Sequence, residues 1–186
     1  LDDKLLSKLV QTLPAVLGYS IEDNLEPKVA WIQLRLQLDK KSMGKLFQIR
    51  ASAIFFSRGI DETLEPKLAW LQERLSLDDK SLCFVIQRMP SLLGCDIGTN
   101  LEPTIKFFED CVGSKAAIQL IAKNPRLLGS SLEKRLKPRL LECQEAGIPM
   151  DNGTIDRIAR YTESKWSDSM IFRKNKLLLK EKLRGR

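Results

Sequence analysis

Apolar side chains return every three to four residues along most of this chain, in blocks punctuated by proline. Leu64, Leu68, Leu71 and Leu75 form one block, and Leu82, Val85, Ile86 and Met89 form the next. That spacing gathers each block on one face of an α-helix. No stretch alternates apolar and polar residues over a useful length, so no sheet is predicted. Asp78 or Asp79 opens the second of these two helices and Pro90 stops it. Ser91-Leu92-Leu93-Gly94 then reads as a short helical turn closed by glycine, as do residues 15–18 and 126–129.

The prolines show that this unit is repeated. Pro27, Pro66, Pro103 and Pro138 are separated by 39, 37 and 35 residues. A second series, Pro14, Pro90 and Pro125, precedes members of the first by thirteen residues, and Ala53 stands where its fourth member would fall. Periods of this length mark a stacked array of small helical units. Asn24, Thr63 and Asn100, each three residues before a proline, are expected to cap the first helix of a unit. The opening Leu1-Asp2-Asp3-Lys4 matches Leu77-Asp78-Asp79-Lys80, so the chain is expected to begin inside a repeat of something longer. The last copy is worn. Asp151 or Asn152 is expected to start a helix through Ile155, Ile158 and Ala159, but Glu163 replaces the proline. The expected organisation is an array over residues 1–163, followed by a basic capping helix over 164–186 that turns Phe172, Leu179 and Leu183 inward.

Leu-Glu-Pro-Lys occurs at 25–28 and at 64–67, with Leu-Glu-Pro-Thr at 101–104 and Leu-Lys-Pro-Arg at 136–139. Four residues beyond the proline come Trp31, Trp70 and Phe107, but Glu142 in the final copy. Together with Met89-Pro90-Ser91-Leu92-Leu93-Gly94 and Asn124-Pro125-Arg126-Leu127-Leu128-Gly129, these residues resemble the mitochondrial transcription termination factor (mTERF) family over nearly the whole chain. Ala53 for proline and Ser57 for glycine depart from the pattern. The resemblance implies an all-α superhelical array in which each unit has two α-helices and a 3₁₀ turn. It further implies a mitochondrial or chloroplast protein that binds double-stranded DNA or RNA and regulates transcription termination or RNA processing. A scaffold that docks a protein partner is the alternative.

Charge changes the picture by its location. The formal net charge is +7. Residues 173–186 carry seven basic groups and one acidic group, leaving 24 basic and 23 acidic groups over the other 172 residues. Attraction of the repeats to phosphate must therefore come from how charges are sorted between faces. Candidate contacts are Arg88 and Lys123, both two residues before a second-series proline, and Arg126 with the cluster Lys134, Arg135, Lys137 and Arg139. The tail adds Arg173, Lys174, Lys176, Lys180 and Lys182. Lys28 and Lys67, which follow first-series prolines as Arg139 does, are expected to be solvated, and Trp31 and Trp70 to fill a packing face rather than stack on bases.

Catalytic and metal chemistry find little support. The chain has no histidine, its four cysteines show no Cys-x-x-Cys spacing, and no glycine-rich phosphate loop occurs. Neither cofactor nor metal is expected, and the cysteines read as small buried hydrophobes. No run of eighteen apolar residues is present, so no membrane helix is expected; the array is expected to be monomeric.

Overall fold

Proline cannot donate a backbone hydrogen bond, and its ring crowds the carbonyl four residues back, so a proline a turn or more inside a helix must be accommodated. The computed structural model, which describes residues 3–46 and 53–184, with side chains as far as Lys176 except at residues 4, 5, 8, 9, 12 and 53, shows how this chain does so. Before each first-series proline the chain makes a wide helical turn, at Ile21–Leu25, Ile60–Leu64, Ile97–Leu101 and Leu132–Leu136. Its hydrogen bonds span five residues: Leu25, Leu64, Leu101 and Leu136 donate to the carbonyls of Ser20, Gly59, Asp96 and Ser131 at 3.0–3.1 Å. The widening opens room for the proline ring, and an ordinary α-helix follows directly.

This moves the helix start. The caps are Ser20, Asp96 and Ser131, whose side-chain oxygens accept from the backbone of Asp23, Thr99 and Lys134. Asn24 and Asn100 do not cap; their side-chain oxygens are enclosed without a hydrogen-bond partner among the described residues. The expectation failed because it treated the proline as a first-turn residue, whereas it lies a full turn inside the helical stretch.

The α-helices are α1 (Asp3–Thr12), α2 (Glu26–Arg35), α3 (Lys40–Leu46), α4 (Ala53–Ser57), α5 (Glu65–Arg74), α6 (Asp79–Arg88), α7 (Glu102–Val112), α8 (Ser114–Lys123), α9 (Lys137–Glu145), α10 (Asn152–Arg160) and α11 (Glu163–Arg184). Among the described residues there is no strand. Three 3₁₀ turns, Pro14–Gly18, Pro90–Gly94 and Pro125–Gly129, begin at second-series prolines. Where Ala53 replaces that proline, the chain makes the short α-helix α4 instead.

The second helices start as their aspartates dictate. Asp39, Asp78 and Asp151 accept from the backbone of Ser42, Ser81 and Thr154 at 2.6–2.8 Å. First helices end in a left-handed residue. Gln37 and Ser76, each ten residues past a proline, both have φ 49°, while Gly113 and Gly147 serve the later copies at φ 83° and 63°. Leu38, Leu77 and Ile148 then donate six-to-one to the carbonyls of Gln33, Gln72 and Cys143, closing the helix ends.

The chain divides into two compact units, residues 1–101 with 122–125, and residues 102–121 with 126–186. In the first, Leu64, Leu68, Leu71 and Leu75 are fully buried, as are Leu82, Val85 and Ile86 of α6 against which α5 packs. Each such leucine contributes about 1.5–3 kcal/mol relative to an exposed one. α4 packs on the turn Pro90–Gly94, where a Cβ on Gly94 would sit 3.0 Å from Ile54 Cδ1. Arg35 on α2 ties to α5 through Glu65 at 2.7 Å and Gln72 at 3.0 Å.

In the second unit the buried stripe of α10 is Ile155, Ile158 and Ala159, and Trp166 and Met170 of α11 are buried as well. Phe172 is 69% exposed, contrary to its expected inward position. The inward face of α11 is set by Trp166, Met170 and Arg173, and Phe172 falls beside that stripe. Leu179 and Leu183 lie outside the described side chains.

Candidate nucleic-acid interface

A cation is available to phosphate only if the fold has not already used it. Lys28, Lys67 and Arg139 occupy one repeat position, directly after the first-series proline, and the fold uses all three. Lys28 donates from Nζ to the carbonyl of Phe56 at 2.7 Å. Lys67 donates to Leu93 at 3.1 Å and also to Cys95. Phe56 and Leu93 are the same repeat position, the fourth residue of the short turn that closes the unit. Carbonyls at the end of a helical turn lack partners of their own, and an ammonium from the first helix of the same unit supplies them. Partial burial pushes the Lys28 and Lys67 pKa values down. These lysines tie the first helix of a unit to its closing turn and are not solvated side chains.

Arg139 does the same work more completely. It is 3% exposed and donates to the carbonyls of Ile158 at 2.9 Å and Tyr161 at 2.8 Å, and to the Glu163 carboxylate at 2.8 Å. Its guanidinium also lies over the Trp166 ring, 5.0 Å from the centroid. The indole donates in turn to the Glu142 carboxylate at 2.8 Å. Glu142 holds the position that is aromatic in the other copies, so the last unit replaces a ring on α9 by a ring from α11. Arg139 therefore leaves the set of available cations. In the third copy the same position is Thr104, which is buried and carries no charge.

The other predicted residues fall into three groups. Arg88, Lys123, Arg126, Lys134, Lys174 and Lys176 are exposed. Arg88 rests over the exposed ring of Phe84, 5.5 Å from its centroid, which orders the guanidinium without neutralising it. Arg135, Lys137 and Arg173 are partly engaged: Arg135 reaches the Ala159 carbonyl at 3.4 Å, Lys137 pairs with Glu133 one helical turn away at 2.5 Å, and Arg173 donates to Thr154 Oγ1 at 2.7 Å. Exposed pairs of the Lys137 kind are worth little and exchange readily for another anion. Lys180 and Lys182 belong to α11, but their side chains lie outside the described residues.

Trp31 and Trp70 are half-buried, as is Phe107, whereas Ile32, Leu71 and Phe108, one residue further on, are fully buried. The aromatic position thus flanks the packing stripe instead of filling it. Cys143 is buried, the other three cysteines are half-buried, and all four are free thiols. Among the described residues, no helix is long and apolar enough to cross a membrane.

Residues that sequence reasoning passed over, Arg157, Tyr161 and Lys165, gather in the second unit with Phe172 and the expected contact Lys176. Arg157 lies in the last turn of α10 and Tyr161 directly after it, and Lys165, Phe172 and Lys176 lie along one side of α11; all line a groove beside Arg173. Their three-to-four spacing was the available signal, since it marks a face adjacent to the buried stripe.

Comparison with curated proteins gives no match. The mTERF family model matches residues 1–166, which takes in every repeat and the start of α11. With the paired-proline period, the wide turn before each first-series proline and the tie that follows it, that match establishes that this chain belongs to the mTERF family.

Proposed function

We propose that this chain is a nucleic-acid-binding regulator of organellar gene expression, acting on double-stranded DNA or RNA in a mitochondrion or chloroplast, in transcription termination or RNA processing. Membership of a family of organellar nucleic-acid-binding regulators carries this reading. The exposed cations support it. Arg88 and Lys123 recur at one repeat position, and Arg126 and Lys134 follow on the later repeats. Lys and Arg so presented neutralise phosphates and release counterions, which gives affinity without demanding a particular sequence. Within this reading the repeats over 1–163 are the binding array and the segment 164–186 is its basic cap.

The test is a salt titration of binding to duplex DNA, single-stranded RNA and a structured RNA of equal length. The expected result is binding to at least one of them at low salt, weakening linearly in log–log form as salt rises. Absence of binding to all three at low salt overturns the proposal.

A further inference from the structure

The groove between α10 and α11 contains a buried donor without an acceptor. Nη1 of Arg157 is enclosed and makes no hydrogen bond to the described residues. A guanidinium nitrogen removed from water and left without an acceptor keeps its charge uncompensated by any hydrogen bond, and that charge adds to the positive field of the groove. Three more cations line the groove, Lys165, Arg173 and Lys176, against two carboxylates, Asp151 and Asp168. Asp151 is already committed to capping α10 through Thr154. The positive excess is therefore held where the orphan nitrogen sits.

A second observation concerns shape. Phe172 lines the same groove with most of its ring in solvent, and Tyr161 lies on the α10 side. A large apolar ring left exposed beside clustered cations has the two parts that hold an unpaired nucleotide, a stacking platform and a phosphate site. A base inside a duplex is already stacked on its neighbours and cannot use such a platform.

We propose that this groove takes one nucleotide of a single-stranded nucleic acid, with its phosphate on Arg173 in the field of Arg157, its base on Phe172, and Lys165 and Lys176 meeting the flanking phosphates. The inference rests on the nucleic-acid-binding reading above and adds to it a strand class and a place. Arg173 is oriented for this by its hydrogen bond to Thr154, which leaves its remaining donors for the phosphate.

The experiment uses the 186-residue chain and a fluorescein-labelled 12-nucleotide oligouridylate, with a 12-base-pair duplex DNA and a 12-residue polyglutamate as comparison ligands. Phe172→Ala and the double variant Lys165→Gln/Lys176→Gln alter exposed side chains, and circular dichroism confirms that each retains its helix content. Phe172→Ala is expected to weaken oligouridylate binding about tenfold and to leave duplex binding unchanged. The double variant is expected to flatten the slope of log affinity against log salt by about 1.4, or about 0.7 for each phosphate no longer neutralised. If the parent chain binds oligouridylate and both variants match it, the groove assignment falls while the general reading stands. If the parent binds no nucleic acid at low salt, both fall. Equal loss of duplex affinity in Phe172→Ala overturns the single-strand assignment. Polyglutamate binding as tight as oligouridylate, and insensitive to Phe172→Ala, makes the groove a site for acidic protein segments and overturns it as well.

Discussion

Lys67 Nζ lies 3.1 Å from the carbonyl oxygen of Leu93, reaching from the first helix of a repeat to the short turn that closes the same repeat. Lys28 makes the same reach to Phe56, so the tie is a property of the repeat and not of one pair. Lys67→Met keeps the stem and removes the donor, leaving two carbonyls at the turn without it. The expected loss is about 1–3 kcal/mol in urea unfolding, with nucleic-acid affinity per folded molecule unchanged. Arg139→Met removes donors to two carbonyls and a carboxylate from a buried site and is expected to cost about 3 kcal/mol or more. A weakened affinity with unchanged stability in either variant would place that cation in the binding surface.

The leucine stripe makes a sharp contrast between two leucines of neighbouring repeats. Leu71 is fully buried and Leu34 is 81% exposed. Leu71→Ala is expected to destabilise by about 2–5 kcal/mol. Leu34→Ala is expected to stay within about 0.5 kcal/mol of the parent. Comparable losses in the two variants, read from urea midpoints, would mean that the packing face of these helices has been assigned wrongly.

Left-handed backbone at Ser76 is strained for any residue with a Cβ, and the corresponding positions in later copies carry glycine. Ser76→Gly is expected to stabilise the chain by up to about 1 kcal/mol, offset in part by the greater freedom of glycine in the unfolded chain. Thermal unfolding checks it. A lower Tm in the variant would show that the serine side chain contributes more than the strain costs.

Four helix-capping aspartates set the acid limit of stability. Hydrogen bonds from Ser42, Ser81, Thr99 and Thr154 are the leading cause that holds Asp39, Asp78, Asp96 and Asp151 below the usual carboxylate range. Their folded pKa values lie below the unfolded ones, so their stabilisation is complete above the unfolded value near pH 4 and is lost as pH falls through the folded values. Tm is expected to stay level from pH 7 to about pH 5 and to drop below about pH 4. Replacing all four by asparagine, which caps without titrating, is expected to shrink that drop. An undiminished drop would assign acid unfolding to other carboxylates.

The repeat, its helices and its buried stripe were legible because a periodicity of three to four residues and a spacing of 35 to 39 are written along the chain. The aspartate caps at Asp78 and Asp151 were legible for the same local reason. What escaped was the partner of each polar group far along the chain. Nothing local to Lys67 tells that a carbonyl 26 residues later will lie within reach, so a structural tie and a solvated lysine look alike. The wide turn escaped too, because proline marks a helix start equally well whether it sits in the first turn or the second. Trp166 had no place in the repeat, since its role depends on Glu142 having replaced the ring of the earlier copies. The groove escaped because Arg157 and Lys165 are isolated in the sequence, while the dense positive charge of the tail stands out.

The separation between structural and available cations is tested most directly by the salt dependence of nucleic-acid binding in two variants measured side by side. For whichever ligand the parent binds, Arg88→Gln/Lys123→Gln is expected to flatten the slope of log affinity against log salt by about 0.7–0.9 for each phosphate that a removed cation had neutralised, whereas Lys67→Met leaves that slope unchanged while lowering stability. A slope unaltered by the double variant, or flattened by Lys67→Met, would contradict the account.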